Sequence, residues 1–247
     1  MFLCGVLKLD RLSRILKSTL SFLVMLILAI LFRSLAFEPF HIPSGSMKST
    51  LLIGDYVLVS KYAYGYSKYS FPFAPNIFSG RIFFKQVEPG DVVVFRPPND
   101  PSINYVKRVI GIPGDKVQIK NGSLYINGVV MKHEQIPDFF DDSLGVQKNI
   151  RRYLETLYNG KSYEILDEDN SSPLDNTPVY QVPEGAIFVL GDNRDNSRDS
   201  RFVNDIGFIP FENIVGKALV TALSFAKSHD SFIPFKIRMD RVWHVIK

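Results

Sequence analysis

The chain has 247 residues, 46% hydrophobic and 13% aromatic, enough for one large domain or one domain carrying an insertion, and too apolar to be disordered. Its formal charge of +4 resides in residues 1–37, where Lys8, Arg11, Arg14, Lys17 and Arg33 face only Asp10; the neutral remainder lacks the basic footprint of a nucleic-acid binder, so no nucleic-acid partner is expected. Cys4 is the single cysteine, which excludes an internal disulfide and a cysteine-based zinc site, and no other metal or organic cofactor motif is visible, so no cofactor is expected.

Residues 20–32 are almost wholly apolar, and extending the run to 18–37 gives about the 20 residues a helix needs to cross a bilayer. Arg33, near the end, can reach toward headgroups. The reading is a basic N-terminus over 1–17 kept in the cytoplasm and a single-pass anchor over 18–37, which sends everything after it across the membrane. A cleaved secretory signal is the competing reading, with Ser34-Leu35-Ala36 as the cleavage site after Ala36. Arg33 between apolar core and cleavage site argues against it.

Beyond the anchor the signals are those of strands. Gly54-Asp55, Gly90-Asp91 and Gly114-Asp115 each open a β-branched or apolar run and read as turns entering strands, Gly supplying the unusual dihedral and Asp bonding nearby backbone. The run after Gly54-Asp55 is Tyr56-Val57-Leu58-Val59, that after Gly90-Asp91 is Val92-Val93-Val94-Phe95, and that after Gly114-Asp115 is Lys116-Val117-Gln118-Ile119. Further strands are predicted over 105–110, 124–127, 186–190 and 214–222, and Asn121-Gly122 signals a hairpin. The fold class is therefore mainly β, an antiparallel core, plus the N-terminal helix. The core is read as 38–128 and 184–247. Within it, 62–84, dense in Tyr, Phe, Pro and Gly, reads as an extended, partly exposed flap, either an ordinary loop with core aromatics or a surface resting at the membrane interface. Residues 129–183 form an inserted lobe with a possible short helix near 147–158 and no visible chemistry; its acidic runs Asp141-Asp142 and Asp167-Glu168-Asp169 read as solvated faces.

Three short segments carry chemistry. Ser44-Gly45-Ser46 lies in a turn between Pro43 and Met47, where a glycine beside a nucleophile lets a substrate carbonyl approach the backbone. Lys107 sits in the apolar run Tyr105-Val106-Lys107-Arg108. Burial there would lower its pKa and leave a neutral amine able to activate a serine. Gly191-Asp192-Asn193-Arg194-Asp195-Asn196-Ser197 follows an apolar strand, and strand ends are where sites are built.

These segments, in this order after an anchor, resemble the bacterial signal peptidase I (leader peptidase) family of serine/lysine-dyad endopeptidases. The resemblance covers nearly all of the region after the anchor, and the joint signal is specific although each segment alone is weak. It implies Ser46 as nucleophile and Lys107 as general base. It also implies an oxyanion hole from the Ser46 amide and the Ser44 hydroxyl, Ser197 as the lysine-orienting serine, and a structural ion pair of Asp199 with Arg201. Arg108, Gly191 and Asp192 match structural positions beside the site. Phe40, Ile42, Met47, Leu51, Tyr105 and Val106 match positions lining the pockets that select Ala-x-Ala-like cleavage sites. The implied activity is removal of signal peptides from exported preproteins at the bacterial cytoplasmic membrane, with the bilayer and the translocation machinery as further partners. Three departures stand out. Lys48-Ser49 replaces the frequent Met-Pro, and the second transmembrane segment and lobe disulfide of some members are absent.

The rival readings are weaker. A serine/histidine hydrolase would use His41, but no Gly-x-Ser-x-Gly elbow is present. Ser224-Phe225-Ala226-Lys227 is a Ser-x-x-Lys without a Lys-Thr-Gly partner. A self-cleaving repressor-type protein is disfavoured by the anchor. The alternative from another class is a membrane-tethered β-rich binding or scaffold protein without catalysis.

Overall fold

The computed structural model describes residues 2–141, 147–169, 171–227 and 235–247. The helix Phe2–Leu35 is continuous through the basic segment and ends two residues before the expected limit, because Phe37 already enters a strand, Phe37–His41. Its stretch Arg14–Leu35 is apolar enough to cross a membrane, and its 22 residues reach about 33 Å. Large apolar side chains point outward all round this stretch, Leu20 and Phe22 each 64% exposed, so none of the described residues covers it. Hydrogen bonds fix its end to the body. Lys61 N–H donates to the Ala36 carbonyl at 2.9 Å, Tyr66 Oη to the Leu35 carbonyl at 2.9 Å, and Arg33 Nε to Glu38 at 2.9 Å.

Among the described residues the strands form three antiparallel sheets. The largest orders them Phe37–His41, Asp55–Ser60, Ile214–Lys227, Val92–Phe95, Tyr105–Gly111, Ala186–Leu190 and Ile209–Pro210, with Phe235–Ile237 and His244–Val245 also pairing on Ile214–Lys227. A four-stranded sheet has the order Tyr180–Gln181, Lys116–Lys120, Ser123–Ile126, Val129–Val130. A three-stranded sheet has the order Ser162–Asp167, Lys148–Thr156, Lys132–Asp141.

The continuous Val92–Phe95 run follows from burial on both faces. Val93 and Phe95 join Val109, Ile187 and Val189 in one cluster, while Val92 and Val94 join Ile42, Met47, Leu51 and Val57 in another. A third cluster, from Ile110 through Ile119, Leu124 and Ile165 to Phe188 and Leu190, ties the two smaller sheets to the large one.

The Gly-Asp turns use one device. In each, the Asp carboxylate accepts the amide three residues back: Leu52 to Asp55 at 2.9 Å, Glu88 to Asp91 at 3.4 Å and Ile112 to Asp115 at 3.0 Å. The Asn121-Gly122 signal is a two-residue hairpin that pairs Lys120 with Ser123, both turn residues having positive φ.

Two readings of 129–183 are corrected. The segment predicted as a short helix is the strand Lys148–Thr156, paired on both edges; its real signal was Asn159-Gly160, where Leu157 N–H donates to the Lys161 carbonyl and closes a hairpin. The acidic runs are not simply solvated either. Asp167 is 6% exposed and Asp141 accepts from Lys48 at 2.5 Å, while Asp142 lies outside the described residues. The 62–84 segment contains short 3-10 turns and a single antiparallel bridge between Tyr66 and Ile82, and it exposes Phe73, Ile77 and Phe83 to solvent. It is anchored by Arg81, which donates to the carbonyls of Tyr64, Gly65, Phe211 and Ile214.

Candidate active site

Ser46 lies on the loop that leaves the edge strand Phe37–His41, held from below by Ile42, Met47 and Leu51, each at most 3% exposed. Lys107 lies in the middle of Tyr105–Gly111, paired with Val93, and is 1% exposed. Strand alternation puts Tyr105, Lys107 and Val109 on one face, and the lysine Nζ reaches Ser46 Oγ at 2.5 Å. Desolvation lowers the Lys107 pKa to about 8; the charges of Asp199 and Asp192 oppose that shift, and Arg201 adds to it. The amine therefore loses its proton at far lower pH than an exposed lysine, and such an amine bonded to a hydroxyl is the arrangement a weak serine nucleophile needs.

Gly191–Ser197 wraps the other side of this pair. Asn193 N–H donates to the Ser46 carbonyl at 3.1 Å, and Asn193 Nδ2 donates to the Gly45 carbonyl at 3.0 Å. Arg108 and Asp192, each 1% exposed, form a two-pronged pair at 2.8 and 2.7 Å. The same carboxylate accepts from Thr50 Oγ1 at 2.5 Å, so this ion pair locks the Ser46 loop to the Gly191–Ser197 loop. Arg201 Nε donates to Asp199 at 2.9 Å and the Gly191 amide donates to Asp199 at 3.0 Å. Burial alone would raise the Asp199 pKa, but Arg201 and the Gly191 amide outweigh it and hold the carboxylate below its usual range.

Gly191 is required by close approach: a Cβ there would stand 2.1 Å from Ser197 Oγ and 2.5 Å from the Ser46 carbonyl oxygen. Gly191→Ala must therefore push the Ser46 backbone or the Ser197 side chain. We expect kcat/KM on a preprotein to fall about a hundredfold with the far-ultraviolet circular dichroism unchanged. Activity within a factor of three of wild type would show that the approach is not tight.

The sequence-derived positions fall unevenly around this centre. Phe40, Ile42, Met47, Leu51 and Val106 share one apolar cluster beside Ser46, whereas Tyr105 packs into the neighbouring cluster against Phe95. Ser44 is exposed on the Ser46 turn. Ser197 is buried beside Gly191 and makes no hydrogen bond to Lys107; its hydroxyl helps to hold the Asp199 carboxylate below its usual range.

Several structural partners were missed. Glu155, wholly buried, accepts from Tyr163 Oη at 2.6 Å and pairs with Arg194, joining the three-stranded sheet to the loop. Lys48 with Asp141, and Ser49 with the Glu164 carbonyl at 3.1 Å, clamp the Ser46 loop to the same sheet. These partners are distant in sequence, and only the hairpin at Asn159-Gly160 could have announced the strand that carries Glu155.

The family model described as signal peptidase, peptidase S26, matches residues 15–223. The chain belongs to the signal peptidase family. Signal peptidase I of Rickettsia typhi is 45% identical over 210 residues, covering 80% of this chain and 76% of that protein. Signal peptidase I of Rickettsia conorii is 44% identical over 210 residues with the same coverage. The crystal structure of a signal peptidase I from Enterococcus faecalis covers 54% of this chain and 97% of its own at 29% identity, with a TM-score of 0.31, too low for the superposition to add to the sequence match. As a signal peptidase I, the chain is a serine endopeptidase that removes signal peptides from secreted preproteins, and its apolar N-terminal helix is consistent with a membrane anchor in such an enzyme.

Proposed function

We propose that cleavage runs through Ser46 and Lys107, a reading carried by one observation: a lysine amine, 1% exposed, 2.5 Å from the serine hydroxyl. Neutral Lys107 takes the Ser46 proton as Oγ attacks the scissile carbonyl, and the ammonium so formed protonates the departing amine of the mature protein. The signal peptide stays esterified to Ser46 until Lys107, neutral again, activates water. The Ser46 amide and the Ser44 hydroxyl stabilise the oxyanion in both steps. Ser197 keeps the lysine amine oriented once substrate closes the site. Asp199 with Arg201, and Arg108 with Asp192, keep the loops in register around it.

The substrate binds extended. The Ala186–Leu190 strand pairs with Tyr105–Gly111 only from Arg108 onward, so the backbone of residues 105–107 has no strand partner on that edge among the described residues. A peptide adding there would present alternate side chains to pockets lined by Phe40, Ile42, Met47, Leu51, Tyr105 and Val106, which favour small residues at the first and third positions before the cut.

The four cations of residues 8–17 keep the N-terminus cytoplasmic, so the catalytic part of this single-pass protein works on the outer face of the bacterial cytoplasmic membrane. The helix is retained rather than cut after Ala36: Ala36 is bonded at both its amide and its carbonyl, and Phe37 enters the sheet. Exposed Phe73, Ile77 and Phe83 of the 62–84 flap rest at the lipid interface. From Leu35 to Ser46 the chain spans at most about 36 Å, which suits substrates still held in the bilayer or at the translocation machinery.

The test is to incubate the detergent-solubilised protein with a preprotein and sequence the product's new N-terminus, which should begin after a small-x-small site. Because the base must be uncharged and its pKa is about 8, the rate should rise with pH from about 6 and level off above about 8 to 9. A profile flat from pH 6 to 10 would remove Lys107 from the role of base.

A further inference from the structure

Away from the Ser46–Lys107 pair, three carboxylates from separate segments meet. Asp167 ends the strand Ser162–Asp167, Asp175 ends the 3-10 turn Pro173–Asp175, and Asp195 lies in the 3-10 turn Arg194–Asn196. One oxygen of each lies within 4.8 Å of the other two. Asp167 and Asp175 are each 6% exposed, and Asp167 Oδ1, Asp175 Oδ2 and Asp195 Oδ1 are sealed from solvent without a hydrogen-bond partner. The third carboxylate is also aimed. Asp195 Oδ2 accepts the amides of Glu168 and Asp169 at 2.8 and 2.9 Å, which leaves Oδ1 turned to its neighbours.

The nearest cations are committed elsewhere. Arg151 donates to the Glu168 carbonyl, and Arg201 to Asp199 and the Arg194 carbonyl. The charge of the cluster is thus poorly compensated. On another side the hairpin tip closes in: a Cβ at Gly122 would lie 3.3 Å from Asp167 Oδ2. Buried, unpaired carboxylates are costly unless they are neutralised or coordinate a metal.

We propose that Asp167, Asp175 and Asp195 bind one divalent cation of the calcium type. The donors are all oxygen, which suits a hard cation and not zinc or copper. Oxygens within 4.8 Å of one another can share one ion at calcium–oxygen bonds of roughly 2.4 Å, and three carboxylates fixed by separate segments suit the irregular shell of calcium better than the near-ideal octahedron that magnesium demands. Water completes the shell. The ion pins the end of the three-stranded sheet and the Pro173–Asp175 turn to the loop that carries Asn193 and Ser197, so it fixes that loop from the side away from Ser46. No spacing motif announces such a site, because its ligands are 8 and 20 residues apart along the chain.

The test uses the full chain in detergent, stripped with EDTA and exchanged into metal-free buffer at pH 7.5. Calcium chloride is titrated in a calorimeter and melting is followed in parallel, with magnesium chloride as the comparison. One saturable site at submillimolar calcium, a melting temperature that rises with calcium, and weaker magnesium binding are expected. Asp167→Asn and Asp175→Asn, tested separately, should each weaken calcium binding at least tenfold while raising the melting temperature of the metal-free protein, since each removes a repelling charge. That second readout also shows that the variants fold. Absence of both heat and stabilisation at about 10 mM calcium would overturn the proposal, as would variants that bind calcium like the wild type. Asn variants more stable than a wild type that ignores calcium would mean that the cluster shares a proton instead. Neither readout needs a peptide substrate, so the result stands apart from the peptidase mechanism.

Discussion

Ser46→Ala and Lys107→Met are each expected to lower the single-turnover rate of preprotein cleavage at least about ten-thousandfold, and the double variant should be no worse than either, because nucleophile and base act as one unit. Quantifying the new N-terminus by mass spectrometry under enzyme excess measures the loss. A Lys107→Met protein retaining more than about a hundredth of the wild-type rate would refute the dyad. The same substitution should act on stability in the opposite sense. Its folded-state pKa, about 8, lies below the 10.5 of the exposed group, so between those values the unfolded chain binds more protons and wild-type stability climbs with pH. Below about pH 8 the buried ammonium costs on the order of 3 kcal/mol, which methionine, of similar length and without charge, does not incur. Lys107→Met should therefore melt higher than wild type at pH 7, with the difference shrinking towards pH 10.5. An inactive protein that is more stable at neutral pH separates a strained catalytic group from a merely structural one.

Arg108→Ala is expected to cost about 3 to 5 kcal/mol, on the order of ten degrees in melting temperature, because it strands the Asp192 carboxylate at 1% exposure without its guanidinium. The guanidinium also donates to the Gly90 carbonyl at 2.7 Å and stacks 4.0 Å from the centre of the Tyr163 ring, contacts a lysine cannot reproduce. Arg108→Lys should fall between alanine and wild type. Combining Arg108→Met with Asp192→Leu should cost less than the two single changes added together, since no charge is then left unpaired. Chemical denaturation of the wild type, Arg108→Met, Asp192→Leu and the double variant gives the coupling directly. A loss below about 1 kcal/mol for Arg108→Ala would mean that water reaches Asp192 and that the pair does not hold the Ser46 loop.

The elements that were readable were those set by local chemistry. The Gly-Asp turns, the Asn121-Gly122 hairpin and the Val92–Phe95 run follow from glycine dihedrals, Asp-to-amide bonds and β-branched burial, all within a few residues. The strand Lys148–Thr156 was misread because its charged and apolar residues satisfy no clean period; its two partner strands, not its own pattern, make it extended. Asp167 was misread for a related reason: composition makes an acidic run a solvated face, but its strand pairing carries Asp167 inward while Asp169 stays exposed.

By itself the sequence determined an apolar helix followed by an antiparallel β protein, and it offered Ser46 and Lys107 in segments whose resemblance to signal peptidase I the family match bears out. It could not determine that these two groups, 61 residues apart, come within 2.5 Å, because that distance depends on the pairing of Val93 with Lys107 and on the Asn193 bonds to the Ser46 loop. Nor could it determine the state of the amine. A lysine in an alternating strand is ordinarily charged and wet; only burial from every side, a property of the assembled sheets, brings its pKa to about 8.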